Sequence, residues 1–310
     1  MRIIRSHTGL DPDARGAAAA IGNFDGVHLG HQAVLDQARA AADTLGAPLG
    51  VVTFEPHPRQ LFQPDAPPFR LMNAETRAHR LQRLGVQYLY ELPFSPKLTA
   101  LSPDDFAQSV IADGLGLRHV VVGQDFRFGA KRAGDVDTLV RLGGKLGFGV
   151  TVAPLLQEDG IGISSTRIRQ ALTDGNPRAA AAMLGHLHRI DGPVIHGEKR
   201  GRTLNYPTAN MDLTGLHLPK FGVYAVTVDI LDGPHAGPAT GVASLGVRPM
   251  FGENVANLET FLFDFTGDLY GAHLSVGLVE FLRGEEKFDS LDTLIEQMDA
   301  DSAAARRILS

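Results

Sequence analysis

The chain has 310 residues, 44% of them apolar and 21% charged, with a formal net charge of −6. That length suits two soluble domains with full cores, and the acidic balance argues against non-specific nucleic-acid binding, which needs a basic field. The chain has no cysteine and no run of about 20 apolar residues, which excludes disulfides and thiolate metal sites and argues against a spanning helix.

The N-terminal stretch MRIIRSHTGLDPD carries basic residues with no apolar segment behind them. A cytoplasmic protein with neither nucleic acid nor membrane as partner is therefore expected. AAAAIGNF (17–24) reads as a strand running into a turn. The helix that follows carries Val34, Leu35, Ala38, Ala42 and Leu45 on one face, and Gly46 stops it. GVVTF (50–54), VQYLYEL (86–92), HVVVG (119–123) and GVTVAPL (149–155) are short apolar runs suited to buried parallel strands. Helices fit between them, one opening at Ser102-Pro103 with a cap and a first-turn proline. This β-α-β-α rhythm predicts a Rossmann-like, doubly wound parallel sheet.

Beyond residue 174 the pattern changes. GNPRAAAAMLG (175–185) reads as a helix capped by Asn176 and stopped by Gly185. GVYAVTVDI, TGVASLGV, LETFLFDF and HLSVGLVEFL are then separated by Gly, Pro and Asp rather than by helices, the pattern of a small antiparallel barrel. A last helix starts at Ser290, with Leu291, Leu294, Ile295 and Met298 on one side. The boundary is expected near 176–188, giving domains 1–183 and 184–310.

Two stretches of the first domain suit an anion. GNFDGVHLGH (22–31) stands at a strand-to-helix turn, where backbone amides and the helix dipole favour negative charge. Its two histidines suit phosphate oxygens; a metal site or a tight turn are the other readings at this point. GISSTRIRQAL (162–172) places three hydroxyls at a helix start and arginines one turn in. That is a second anion surface, or an amply provided N-cap.

These stretches resemble the H-x-G-H and ISSTxxR signatures of the nucleotidylyltransferases. FEPHP (54–58) and VVGQDFRFG (121–129) narrow the resemblance to the flavin adenylyltransferase domain of bacterial bifunctional riboflavin kinase/FAD synthetases. The resemblance implies that His28, His31 and Arg169 are catalytic, with the histidines on the ATP phosphates. Gly22, Asn23, Phe24, Asp25, Gly26, Ser164, Ser165 and Thr166 would bind ATP or substrate. Asp125 would lie at the active centre beside Mg²⁺, with Arg127 and Phe128 toward FMN. Phe54 and His57 would shape the loop.

In the second half, HGEKRGRTLNYPTANM (196–211) sets Thr208 and Asn210 two positions apart, so an extended segment turns both side chains the same way. Their oxygens are hard ligands suited to Mg²⁺, although Pro, Thr and Asn are also common in turns. The stretch resembles the PTAN motif of riboflavin kinases. FGVYAV, GVASLGVRPMF, LETFLFDF, GDLYG and RGEEKFDS follow in the family's order. The resemblance implies Glu259 as general base, Thr208 and Asn210 as Mg²⁺ ligands, and Gly197, Lys199 and Gly201 in a flap over the phosphates. Arg283 would contact flavin or phosphate. Asn205-Tyr206 departs from the family's usual Gly-Phe, and LGHLHRIDGPV lacks its usual Pro-Tyr pair.

The implied activity is ATP-dependent phosphorylation of riboflavin to FMN, then adenylylation of FMN to FAD. The substrates are riboflavin, FMN and ATP, and a weak or transient homo-oligomer is allowed for. The alternative, motivated by Asn205-Tyr206, is an FMN adenylyltransferase whose barrel binds flavin without phosphorylating it. A non-catalytic flavin-binding protein is disfavoured by the joint presence of His28, His31, Arg169 and Glu259.

Overall fold

Runs such as AAAI and HVVVG have no polar face, so they can only be satisfied as strands covered on both sides. The computed structural model describes residues 1–154, 156–158, 161–196, 206–250 and 253–310. The chain divides into two compact units, Met1–Pro67 with Arg77–Ile163, and Pro68–Thr76 with Ser164–Ser310.

In the first unit six strands are β1 (Arg2–Ile4), β2 (Ala18–Ile21), β3 (Leu49–Glu55), β4 (Tyr88–Pro93), β5 (His119–Gly123) and β6 (Gly149–Ala153). They form one sheet in the order β1-β4-β3-β2-β5-β6, with every pairing parallel. Chain direction across the sheet reverses between β2 and β5. Their carboxyl ends therefore flank the switch-point crevice where open α/β sheets bind ligands. Helix α1 (Leu29–Leu45) buries Leu35, Ala38 and Ala42, and Gly46 ends it at φ 57°. Helices α2 (Pro58–Phe62), α3 (Ala74–Arg83), α4 (Pro96–Thr99), α5 (Pro103–Asp105) and α6 (Val136–Leu146) follow in order. Ser102 caps α5 as its sequence predicts, but after one turn the bonding widens to a π-helical segment over Phe106–Ala112, burying Phe106, Ala107, Val110 and Ile111. A small hairpin of β7 (Gln157–Glu158) and β8 (Ile161–Gly162) closes the unit.

At the carboxyl ends of β3 and β4 the Arg77 guanidinium, 1% exposed, reaches Glu55 Oε2 and Glu91 Oε2, each at 3.0 Å. A buried cation with two carboxylates around it is tolerable, whereas removing both would strand its charge.

The second unit opens with α7 (Ser165–Thr173) and α8 (Pro177–Leu184), the latter capped by Asn176 and ended by Gly185 at φ 72°. Its strands are β9 (His188–Pro193), β10 (Thr208–Asp212), β11 (Gly222–Ile230), β12 (Gly237–Met250), β13 (Glu253–Leu262) and β14 (His273–Arg283). They pair antiparallel in the order β10-β13-β12-β11-β14-β9. Just beyond β9, Ile195 bridges Asn210 of β10, its N–H donating to the Asn210 carbonyl at 2.8 Å, so the two edges of the sheet curl toward each other. Inside lie Met211, Tyr224, Val226, Val228, Leu245, Leu258 and Leu274. Helix α9 (Leu291–Leu309) covers the other face, where Ala305 packs with Ala225 and Phe263. This explains why β11 reads as apolar on both of its faces. Among the described residues no helix is long and apolar enough to cross a membrane.

Candidate active sites

The turn from β2 into α1 is built under strain. Phe24, Gly26 and Val27 have φ values of 52°, 88° and 42°. Left-handed backbone is uncommon for non-glycine residues and an outlier for a β-branched one, so its surroundings must hold it. Val27 N–H donates to the Phe24 carbonyl at 3.2 Å, Gln32 Nε2 to the Val27 carbonyl at 2.9 Å, and Thr53 Oγ1 to the Asn23 carbonyl at 3.2 Å. Phe24, Asp25 and Val27 are buried and Asn23 is exposed, with Gly22 half-buried where β2 ends.

His28 is the N-cap of α1. Its Nδ1 accepts from the His31 backbone N–H at 3.3 Å. A neutral His28 therefore carries its proton on Nε2, where it can donate. The His31 ring stacks on it with centroids 3.7 Å apart at 15°. Burial, reinforced by His28, holds His31 well below the usual imidazole range. Its Nδ1 is buried with no hydrogen-bond partner. The stacked pair thus includes a neutral His31 ring rather than a fixed cation at that position. Gly30 leaves room for it, because a Cβ there would stand 3.1 Å from His28 Cε1 and Nδ1.

Across the crevice, the segment after β5 carries Asp125 and Arg127, both exposed. Arg127 Nη1 lies 3.2 Å from Asp135 Oδ2. The Phe128 ring is 6% exposed and packs against Phe106 and Phe126 at 5.8 and 5.6 Å, so it belongs to the core. His57 caps α2, its Nδ1 accepting from the Arg59 N–H at 3.1 Å. Phe54 packs edge-on to Phe94 at 5.6 Å.

Ser164, Ser165, Thr166 and Arg169 belong to the second unit, whereas His28 and His31 belong to the first. Ser164 caps α7, its Oγ accepting from the Arg167 N–H at 3.4 Å, and Ser165 and Thr166 are the first helical residues. The Arg169 guanidinium stands over the Phe69 ring at 5.4 Å and its Nε donates to the Phe69 carbonyl. A hydroxyl-rich helix start beside an anchored arginine is suited to an anion.

The barrel holds the other constellation. Thr208 and Asn210 share one face of β10, and Asn210 stands directly opposite Glu259 of β13. Thr208 Oγ1 lies 3.4 Å from Glu259 Oε2. Asn257, two residues before Glu259 on the same face, was not singled out from the sequence. Its Nδ2 donates to Asn210 Oδ1 at 3.0 Å and to Glu259 Oε1 at 3.2 Å. The alternation N-L-E in a strand was the available signal. A cavity of about 320 Å³ opens beside this group, lined among others by Tyr206, Thr208, Glu259, Phe261, Arg283 and Met298. Ser244 of β12, opposite Glu259, also lines it. Arg283 makes a forked pair with buried Asp301 of α9, with Nη2–Oδ2 at 2.7 Å and Nε–Oδ1 at 3.0 Å. Tyr206, at the departure from the family pattern, hydrogen-bonds Asp299 through its hydroxyl and tilts against Phe261 at 4.6 Å. Gly197, Lys199, Gly201 and Asn205 lie outside the described residues.

Thr208 Oγ1, Asn210 Oδ1 and the Glu259 carboxylate form an all-oxygen donor set on adjoining strands, which is the chemistry a hard divalent ion requires.

Comparison with known proteins also divides the chain in two. The FAD synthetase family model matches residues 10–167 and the riboflavin kinase model residues 184–309. The bifunctional riboflavin kinase/FMN adenylyltransferase of Pseudomonas fluorescens is 44% identical over 309 residues, covering 99% of this chain and 98% of its own. Its namesake from Bacillus subtilis is 36% identical over 316 residues, covering 100% and 98%. A crystal structure described as a macrolide-efflux protein from Streptococcus pneumoniae superposes with a TM-score of 0.84 at 33% identity, covering 98% of each chain.

Proposed function

Because the chain belongs to the bifunctional riboflavin kinase/FMN adenylyltransferase family, we propose that its two activities are carried by separate residue sets, Glu259 with Thr208 and Asn210 in one and His28, His31 and Arg169 in the other. The chain phosphorylates riboflavin to FMN and adenylylates FMN to FAD, consuming ATP in each step. The observation that carries the partition is the placement of Glu259 opposite Asn210 in one barrel face, while the stacked histidines cap a helix of a different sheet. We assign the functional boundary to 183/184, a reading supported by the riboflavin kinase match beginning at residue 184.

In the kinase step Glu259 accepts the proton of riboflavin's 5′-hydroxyl as that oxygen bonds to the γ-phosphorus of ATP. The bond to the β–γ bridging oxygen breaks and ADP leaves. A carboxylate suits this role because the hydroxyl becomes acidic only as the new bond forms. Thr208 and Asn210 would hold Mg²⁺, which neutralises phosphate charge when bound there. The cavity beside Glu259 has an apolar wall of Val223, Val242, Phe261, Phe288, Leu294 and Met298, suited to the flavin ring. Arg283, held by Asp301, lies at its margin; Gly197, Lys199 and Gly201 are assigned to the phosphate flap.

In the adenylyl step an FMN phosphate oxygen bonds to the α-phosphorus of ATP and pyrophosphate leaves. No covalent enzyme intermediate is required, so the protein aligns two polyanions and offsets the charge that develops. His28 and His31 donate to the ATP phosphates. Ser164, Ser165, Thr166 and Arg169 hold the triphosphate and the leaving group. The backbone of Gly22, Asn23, Phe24, Asp25 and Gly26 shapes the nucleotide turn, and Asp125 would help to hold a divalent ion that neutralises phosphate charge when bound. Arg127 flanks the FMN side; Phe128 supports that wall from the core. The acidic, cysteine-free composition supports a cytoplasmic protein that binds neither nucleic acid nor membrane, and a weak or transient homo-oligomer belongs to the same proposal.

Replacement variants test the partition. Glu259→Ala should abolish FMN formation and leave FMN-to-FAD conversion, and His28→Ala with His31→Ala should do the reverse. Loss of both activities in either folded variant would refute it.

A further inference from the structure

Glu259 and Asn210 come from different strands, yet one amide nitrogen touches both. Asn257 Nδ2 donates to Asn210 Oδ1 at 3.0 Å and to Glu259 Oε1 at 3.2 Å. A side-chain amide nitrogen has two hydrogens, so the two bonds use its full donor capacity. The register brings this about. Asn210 pairs with Glu259, and Asn257, two residues before Glu259 on β13, pairs with Asp212 on the same face. Asn257 is 8% exposed and Asn210 4%, so water competes little for either bond.

We propose that Asn257 is a positioning residue of the kinase step, clamping the general base and a metal ligand into one unit. This inference rests on the assignment of Glu259 as base and Asn210 as ligand. The clamp has two chemical effects. It fixes the amide of Asn210 with Oδ1 on the side of Glu259, while the Asn210 Nδ2 is turned to the Thr208 carbonyl at 3.3 Å. An amide oxygen has two lone pairs, so accepting from Asn257 leaves Asn210 Oδ1 able to ligate a hard cation and orients it to do so. Toward Glu259, the same amide holds Oε1 at 3.2 Å and so fixes the orientation of the carboxylate that accepts the proton. No charge is added, so the metal site keeps its net charge.

Three variants of the intact chain separate this role from packing. Asn257→Asp keeps the shape, replaces the donor by an acceptor and sets a second carboxylate beside Glu259. Asn257→Leu removes the donor, and Asn257→Gln keeps the amide on a longer stem. Riboflavin phosphorylation, FMN adenylylation and Mn²⁺ binding in the presence of ADP, read by electron paramagnetic resonance, are measured for each. For Asn257→Asp and Asn257→Leu the kinase kcat should fall about 10- to 100-fold, the range for loss of a partner that orients a ligand. The riboflavin KM should move by less than about threefold, because the clamp does not face the flavin ring. Mn²⁺ affinity with Asn257→Leu should weaken about tenfold, and Asn257→Gln should recover part of each loss. FMN adenylylation should be unchanged, and a wild-type urea unfolding transition reports that the barrel is folded.

Wild-type kcat and Mn²⁺ affinity in Asn257→Leu would overturn the clamp. So would a loss confined to stability, with activity per folded molecule intact. Glu259→Gln run in parallel keeps the two levels apart. If it is inactive while the Asn257 variants are normal, the clamp alone fails. If it phosphorylates riboflavin at the wild-type rate, the base assignment fails and the clamp with it.

Discussion

Acidification should unfold the barrel sooner than its carboxylates alone would, because of His188. This residue on β9 is 2% exposed, its Nδ1 has no hydrogen-bond partner, and it stands opposite Leu278 in the sheet. Burial, reinforced by His186 and His217, pushes its pKa from 6.5 down to about 3. The sign follows from which state takes up the proton. Above pH 6.5 both states hold a neutral ring and no penalty exists. Below it the unfolded chain gains a proton that the folded chain refuses, so stability falls steadily until the folded group titrates. One pH unit in that window is worth about 1.4 kcal/mol, so acidifying from pH 7 to pH 5 should remove about 2 kcal/mol through this residue. His188→Leu removes the titration. The comparison is urea-dependent amide exchange of β9 and β14 in the intact chain, at both pH values, for wild type and variant. Wild type should lose about 2 kcal/mol more than the variant over that interval. Equal losses in the two proteins would refute the argument.

Further substitutions probe single contacts. Gly30→Ala should lower adenylylation about tenfold or more with the kinase rate unchanged, since its Cβ would stand 3.1 Å from the His28 ring and displace a donor from its aligned position. Parallel assays of FMN and riboflavin turnover check this. Asp301→Asn should destabilise the barrel by about 3 kcal/mol or more, measured by urea unfolding, because it leaves the largely buried Arg283 guanidinium without its counter-charge. Tyr206→Phe removes the hydroxyl bonded to Asp299 and should cost about 1 kcal/mol in the same experiment.

Much of this was legible because local rules and tertiary demands agree. At α1 the apolar face and the terminal glycine agree, at α8 the Asn176 cap and the terminal glycine do, and the structure has Gly46 and Gly185 where the helices end. At GNFDGVHLGH the glycines announce a turn and the histidines a chemistry. What could not be read there is that Phe24 and Val27 share the left-handed backbone, since nothing in their side chains favours it. Strand β1 and strand β9 were missed because RII is too short for a period and HRIDGP reads as loop until the sheet pairs it. Arg77, Glu55 and Glu91 look like surface charges one by one, and only the fold brings them together in the interior. Phe128 follows the exposed Arg127 in its motif, and its place in the core depends on Phe106 from a distant helix. Asn257 was hidden for the opposite reason. A polar residue in a strand is ordinary, and its two acceptors become visible only with the register of β10 on β13.

The partition of the two chemistries is tested most directly by mixing. Glu259→Gln and His28→Ala/His31→Ala proteins are incubated with riboflavin, ATP and Mg²⁺, separately and at equal concentration, and the flavins are separated by chromatography. Two independent residue sets predict FAD from the mixture and from neither variant alone, with FMN accumulating only in the histidine variant. FAD made from riboflavin by either variant alone, or none made by a mixture of folded variants, would contradict the account.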